Sequence, residues 1–152
     1  MGLLCASTTT HAQEEVTTHP NQQTLLESAD PALKANKKLV YDFWVKVFLG
    51  RDAALAPDYV AESYIQHNPN VPTGRAPFIG FLKSLEKPDV APTGIPDLVM
   101  ITAERDIVIL AFRQERKHPT NEGETYTTTW FDMFRIEDGK IAEHWDSAPL
   151  WK

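Results

Sequence analysis

TYTTTWFDMFRIEDGKIAEHWD, residues 125–146, reads as two β-strands joined by a tight turn. Threonine and aromatic residues crowd the first strand, Thr125 to Ile136, as a pleated and half-buried surface favours. Glu137-Asp138-Gly139 supplies the turn, and Lys140 to Asp146 the returning strand. Strand alternation places Tyr126, Thr128, Trp130, Asp132, Phe134 and Ile136 on one face. Asp132 is the only carboxylate in that row. A carboxylate there must find hydrogen bonds, or desolvation raises its pKa, which makes it a candidate acid or base. A purely structural Asp bonded to a Trp or backbone N–H satisfies the same pattern.

The turn length decides which residues Asp132 meets. A two-residue Asp138-Gly139 loop sets Trp145 opposite Asp132. A three-residue loop with a left-handed Gly139 sets His144 opposite Asp132 and Asp146 opposite Trp130. The second register is favoured, because it collects Asp132, His144 and Asp146 beside Trp130 and Phe134. It leaves Phe131, Met133, Ile141 and Trp145 on the other face, a row apolar enough to call for a partner.

Working outward, the elements upstream of the hairpin change in kind. Asp30 caps a helix that Pro31 begins, with Leu33, Val40, Phe43, Trp44, Val47 and Phe48 on its apolar face and Gly50 as its stop. A short helix follows Asp52. Tyr64 to Asn68 is extended, Pro69 and Pro72 impose a loop, and Pro77 to Leu85 forms a third helix. Leu98 to Ala103 and Ile107 to Arg116 are strands around a Glu104-Arg105-Asp106 turn. Helices first and an antiparallel meander afterwards indicate an α+β domain, with the helices on one face of a curved sheet. Residues 29–152 form this domain. Residues 1–28 lack apolar periodicity and read as a disordered arm, dispensable for folding. Thr10-His11-Ala12 before Gln13 resembles a signal-peptidase site, the remnant of an export signal. On that reading the protein is periplasmic or secreted; without export it is cytoplasmic.

The 152 residues suffice for one domain with a substantial core. A formal charge of −6 argues against general binding of nucleic acid. No apolar run approaches the ~20 residues that cross a bilayer, so no membrane partner is expected. The single Cys5 excludes an internal disulfide. Phosphate loops and nucleophile elbows are absent from the sequence. His67, Asp132, His144 and Asp146 lack metal-ligand spacing, and no metal or other cofactor is expected. His67 sits where the extended Tyr64-Ile65-Gln66-His67 segment enters the proline loop. Only one of Gln66 and His67 can face inward. His67 is chosen, because an imidazole can donate to an oxyanion or shuttle a proton beside a carboxylate.

Tyr64-Ile65-Gln66-His67-Asn68-Pro69, Gly74 with the helix around Phe78 and Phe81, and the run from Phe134 to Asp146 together resemble the SnoaL-like polyketide cyclases of the NTF2-like superfamily. The resemblance spans about residues 33–148. It implies a cone, in which a strongly curved, mostly antiparallel sheet and three N-terminal helices enclose an apolar pocket. It implies Asp146 as the acid–base residue of an aldol-type closure, with Asp132 at a polar pocket position and Trp130 where the cyclases carry glutamine. The expected function is a cofactor-independent enzyme acting on a small apolar carbonyl compound by cyclisation or isomerisation. Asp146, Asp132, His67 and His144 would be catalytic, and Trp130, Phe134, Gln66 and Tyr64 would line the pocket. The alternative is a non-catalytic binder of a small apolar ligand. A homodimer through the outer sheet face is expected.

Overall fold

A computed structural model describes residues 14–151. The Asp30 carboxylate accepts from the Ala32 N–H at 2.8 Å and starts helix α1, Pro31–Asp42, with Pro31 in the first turn. From Phe43 to Leu49 the same rod continues as a π-helix. The wider winding moves Val45 into the core beside Phe43 and Val47 and leaves Trp44 and Phe48 half-buried. A uniform 3.6-residue period does not predict that rotation. Gly50 ends the segment, with its N–H bonded to the Val45 carbonyl at 2.9 Å. A Cβ there would run into the Lys46 carbonyl, so the close approach requires glycine.

A 3₁₀ turn at Ala53–Leu55 leads into the short helix α2, Ala56–Tyr59. Strand β1, Val60–Gln66, follows, then helix α3, Arg75–Ser84, which packs Phe78 and Leu82 inward. Gly74, at φ 98°, makes the bend before α3 and donates its N–H to the Tyr64 carbonyl at 2.7 Å. Four strands complete the fold: β2 Leu98–Glu104, β3 Ile107–Lys117, β4 Thr125–Glu137 and β5 Lys140–Asp146. The sheet order is β1-β5-β4-β3-β2, antiparallel except for the parallel β1–β5 pair. This is the α+β, NTF2-like architecture expected. Phe43, Phe78, Phe134 and Tyr64 meet at its centre with ring centroids 5.5–6.0 Å apart.

The terminal hairpin differs from both expected registers. Its turn is the two-residue Asp138-Gly139, at φ 50° and 71°, whose positive values match the twist of the strands it joins. Glu137 pairs with Lys140 and Ile136 with Ile141, but beyond them Arg135 pairs with Glu143. Ala142 is therefore an extra residue on β5, a β-bulge. Asp132 faces Asp146, and His144 faces Phe134. The bulge restores the parity that a two-residue turn alone would lose. Asp132, His144, Asp146 and Phe134 share the inner face, as expected, by a different route. Ile141, expected outside, lies before the bulge and is fully buried.

The arm also needs correction within its described part. Leu26 is buried in the core. Gln22 bonds both the N–H and the carbonyl of Ile95, at 3.0 and 2.6 Å, and accepts from the Tyr41 hydroxyl. Buried Lys37 reaches the Leu25 and Glu27 carbonyls. One leucine without periodic neighbours carries little signal in sequence, yet it closes the end of the core. The export-signal reading at residues 10–13 lies outside the described residues. Leu26→Ala should cost about 2 kcal/mol of stability, at the low end for buried leucines. Urea unfolding checks this, and a loss below about 0.5 kcal/mol would return the segment to a dispensable arm.

Candidate active site

The inner faces of β1, β4 and β5 bring one polar patch to the wall of an otherwise aromatic cavity. β1 pairs with β5 so that Gln66 lies beside His144. β4 pairs with β5 so that Asp132 lies opposite Asp146. Asp132 and His144 are only 3% and 6% exposed, and the carboxylate Oδ1 lies 2.8 Å from the imidazole Nε2. Trp130 donates its indole N–H to the other carboxylate oxygen at 3.0 Å. On the far side of the ring, Nδ1 lies 2.8 Å from the Gln66 side-chain carbonyl. Asp146 accepts from the Asn68 amide at 2.6 Å and from the Ala148 N–H at 2.9 Å.

Burial pushes the Asp132 carboxyl up, partly opposed by its bond to His144. Burial also raises the Tyr64 phenol, and the carboxylates of Asp132 and Asp146 push the same way, so the hydroxyl keeps its proton. One nitrogen of His144 and one oxygen each of Asp132 and Asp146 lie within 4.8 Å of one another. A reacting group placed among them can reach both a carboxylate and a proton donor.

The cavity holds about 110 Å³. Phe43, Trp44, Phe48, Phe78, Phe81, Phe134 and Val71 form its apolar walls, and Tyr64, Gln66, Asn68, Asp132, His144 and Asp146 form the polar one. Trp151 lies at its edge, where the chain is pinned by the Trp151 N–H on the Asn70 side chain at 2.8 Å. Trp130 does not line this cavity. It lines an adjoining outer bay with Gln114 and Arg116, which Asp132 and Asp146 also line, and its indole N–H bonds Asp132.

His67 is not in the cavity. Its ring stacks on Trp145 on the outer face of the sheet, with centroids 5.0 Å apart and planes 6° apart. Its Nε2 lies 2.7 Å from Glu143, whose carboxyl His67, and then Arg135, hold below the usual range. The parallel register decides the choice. Gln66 sits on the inward side beside His144, so the next residue must point out. An amide also suits the inward place better, since it satisfies a donor and an acceptor there at once.

Asn68 is the site residue that sequence reasoning missed, although its spacing of two from Gln66 carries the signal once Gln66 faces inward. Trp44 and Phe48 read as core in sequence, but the π-helix turns them toward the cavity.

Residues 42–144 match the family model of the SnoaL-like domain. The chain belongs to that family. The SnoaL-like match takes in the hairpin through His144 and stops two residues short of Asp146. A search of curated protein sequences gives no match. Among solved structures, a candidate polyketide cyclase from Acidithiobacillus ferrooxidans is similar at TM-score 0.55 and 16% identity, over 80% of this chain and 90% of that one. A LEH-like epoxide hydrolase from M. tuberculosis is similar at TM-score 0.53 and 12% identity, over 76% and 84%. A candidate polyketide cyclase from Xanthomonas campestris has 24% identity at TM-score 0.51, over 74% and 89%. These likenesses bear on the shared SnoaL-like fold.

The raised Asp132 carboxyl links pH to stability. The folded state holds this proton more tightly than the unfolded chain, whose Asp titrates near ~3.9. Its contribution is therefore complete below that value and is lost as pH rises through the folded value. Asp132→Asn keeps a donor toward His144 but cannot ionise. Its stability should change less between pH 4 and 7 than that of the wild type, as measured by urea unfolding across that range. Parallel profiles would contradict the assignment.

Proposed function

We propose that the protein is a small cofactor-independent enzyme that moves a proton at the carbon alpha to a carbonyl. Asp146 is the base, and the polar wall around the buried Asp132–His144 pair, with the protonated Tyr64 hydroxyl, faces the carbonyl oxygen. The observation that carries this reading is the convergence of the two carboxylates and the imidazole on one aromatic cavity. A carboxylate has little driving force to deprotonate such a carbon in water. A hydrogen bond to the developing oxyanion lowers the barrier. The Asn68 and Ala148 donors aim the Asp146 carboxylate while leaving it half-exposed to the cavity.

The cavity is of the order that accepts a six-membered apolar ring, since an apolar site of ~150 Å³ holds benzene. The substrate is a small carbonyl compound with an apolar body. An aldol-type ring closure and a double-bond shift both start from the same enolate. Names of cyclases and of an epoxide hydrolase among the structural neighbours are consistent with acid–base chemistry on a fold of this kind.

Exchange of α-protons for deuterium in cyclohexanone, followed by NMR in D₂O, tests the reading without knowledge of the natural substrate. Wild type should accelerate exchange, and a chelator should not abolish the effect. Asp146→Asn should lower the rate roughly 10²-fold or more, and His67→Ala should leave it unchanged. Exchange that survives Asp146→Asn would overturn the assignment. A protein that binds the ketone but exchanges nothing would be a ligand-binding module.

The proposal extends to a homodimer through the outer sheet face. Phe131 is 54% exposed there and Met100 51%, and apolar surface of this sort usually marks an interface. Light scattering at micromolar concentration should give twice the chain mass, and Phe131→Asp should shift it toward one chain. A wild-type monomer would remove the dimer without touching the catalytic reading.

A further inference from the structure

We infer that Gln66 is the positioning residue of the site: its side-chain carbonyl holds the His144 ring protonated at Nδ1, so that Nε2 meets Asp132 through a proton the pair shares. Two further hydrogen bonds fix the orientation of the amide. The Asn68 backbone N–H donates to the Gln66 carbonyl at 3.0 Å, and the Gln66 NH₂ donates to the Tyr64 hydroxyl at 3.1 Å. A flipped amide would set NH₂ against N–H, so the oxygen is the atom that faces the ring. That oxygen lies 2.8 Å from Nδ1 and can only accept, so Nδ1 carries a hydrogen.

A neutral imidazole protonated at Nδ1 presents a lone pair at Nε2. The atom facing that lone pair is Asp132 Oδ1, at 2.8 Å, and an ionised carboxylate offers only lone pairs of its own. Two lone pairs do not meet at that distance inside a protein without a proton between them. Either Asp132 is the acid that donates to the ring, or the ring is an imidazolium that donates to the carboxylate. Both forms hold the same number of protons, and in both the pair has no net charge. Among the described residues, the other titratable groups near the ring are Asp146 on β5 and Tyr64 on β1, with the phenol protonated. The helices facing the ring contribute aromatic side chains, Phe43 and Trp44 among them.

Remove the Gln66 carbonyl and the constraint goes. The ring can then move its hydrogen from Nδ1 to Nε2 and pair with ionised Asp132. The pair then holds one proton fewer and carries a negative charge beside Asp146. Gln66 thus sets the proton inventory of the site without contacting the reacting atoms. The location of the proton is independent of the enzymatic reading; only its part in the reaction rests on the proposal above.

The test is the side-chain ¹⁵N spectrum of His144 in the full-length, uniformly labelled protein, identified by the signals that His144→Gln removes. Wild type should show a protonated Nδ1 at neutral pH. Gln66→Met, which keeps the length but removes the acceptor, should move the hydrogen to Nε2 and leave Nδ1 bare. Gln66→Glu, which restores an acceptor, should restore the protonated Nδ1. A bare Nδ1 in wild type would overturn the inference, as would a Gln66→Met spectrum like that of wild type. The wild-type spectrum decides the matter even if Gln66→Met does not fold. In the exchange assay Gln66→Met should lose roughly 10-fold or more in rate. Absence of exchange in wild type would count against the enzymatic reading and leave the spectroscopic result standing.

Discussion

A β-strand presents successive side chains to opposite faces, so the site depends on how many residues separate Asp132 from His144 and Asp146 along the hairpin. With the two-residue Asp138-Gly139 turn alone, Trp145 would stand across from Asp132 and both its neighbours would miss their partners. The extra residue at Ala142 shifts β5 by one place. That shift brings Asp146 across from Asp132 and seats His144 beside Gln66. Without it the two polar side chains would be offered to the outer face and Trp145 to the cavity. The tight turn and the bulge are thus one device: the turn supplies the twist, and the bulge supplies the parity.

The rest of the cavity is built to match that wall. The π-helical winding after Asp42 turns Trp44 and Phe48 toward the cavity while Phe43, Val45 and Val47 seal the core behind them. Phe134 lies 4.7 Å from the His144 ring and excludes water from one side of it. Burial is costly for a carboxyl, and Asp132 persists because the imidazole and the Trp130 indole both bond it.

Much of this was legible in the residues themselves. The Asp30-Pro31 helix start, the order of strands and the inward grouping of Asp132, His144 and Asp146 follow from capping, alternation and turn chemistry, and the resemblance of the hairpin to the SnoaL-like proteins added the cone. The register was not legible, because a bulge leaves little trace in a sequence, and a two-residue turn with a bulge gives the same parity as the three-residue turn expected. His67 was misplaced because an imidazole attracts a catalytic reading. The choice between neighbours on an extended segment is settled by the partner strand, and β1 pairs with β5 across nearly eighty residues of chain. Leu26 and Gln22 gave no periodic pattern, yet they close the core end by long-range contacts that only the fold creates.

On the proposed function, the polar wall stabilises an enolate in the cavity. A crystal structure with a small phenol, which mimics the enolate in shape and charge, tests it most directly. The ring should lie between Phe43, Phe78 and Phe134, with the phenol oxygen within hydrogen-bond distance of the Tyr64 hydroxyl and the Asp132–His144 pair and the Asp146 carboxylate over an adjacent ring carbon. A phenol seated in the outer bay beside Arg116, or one whose oxygen points away from His144 and Asp132, would contradict it.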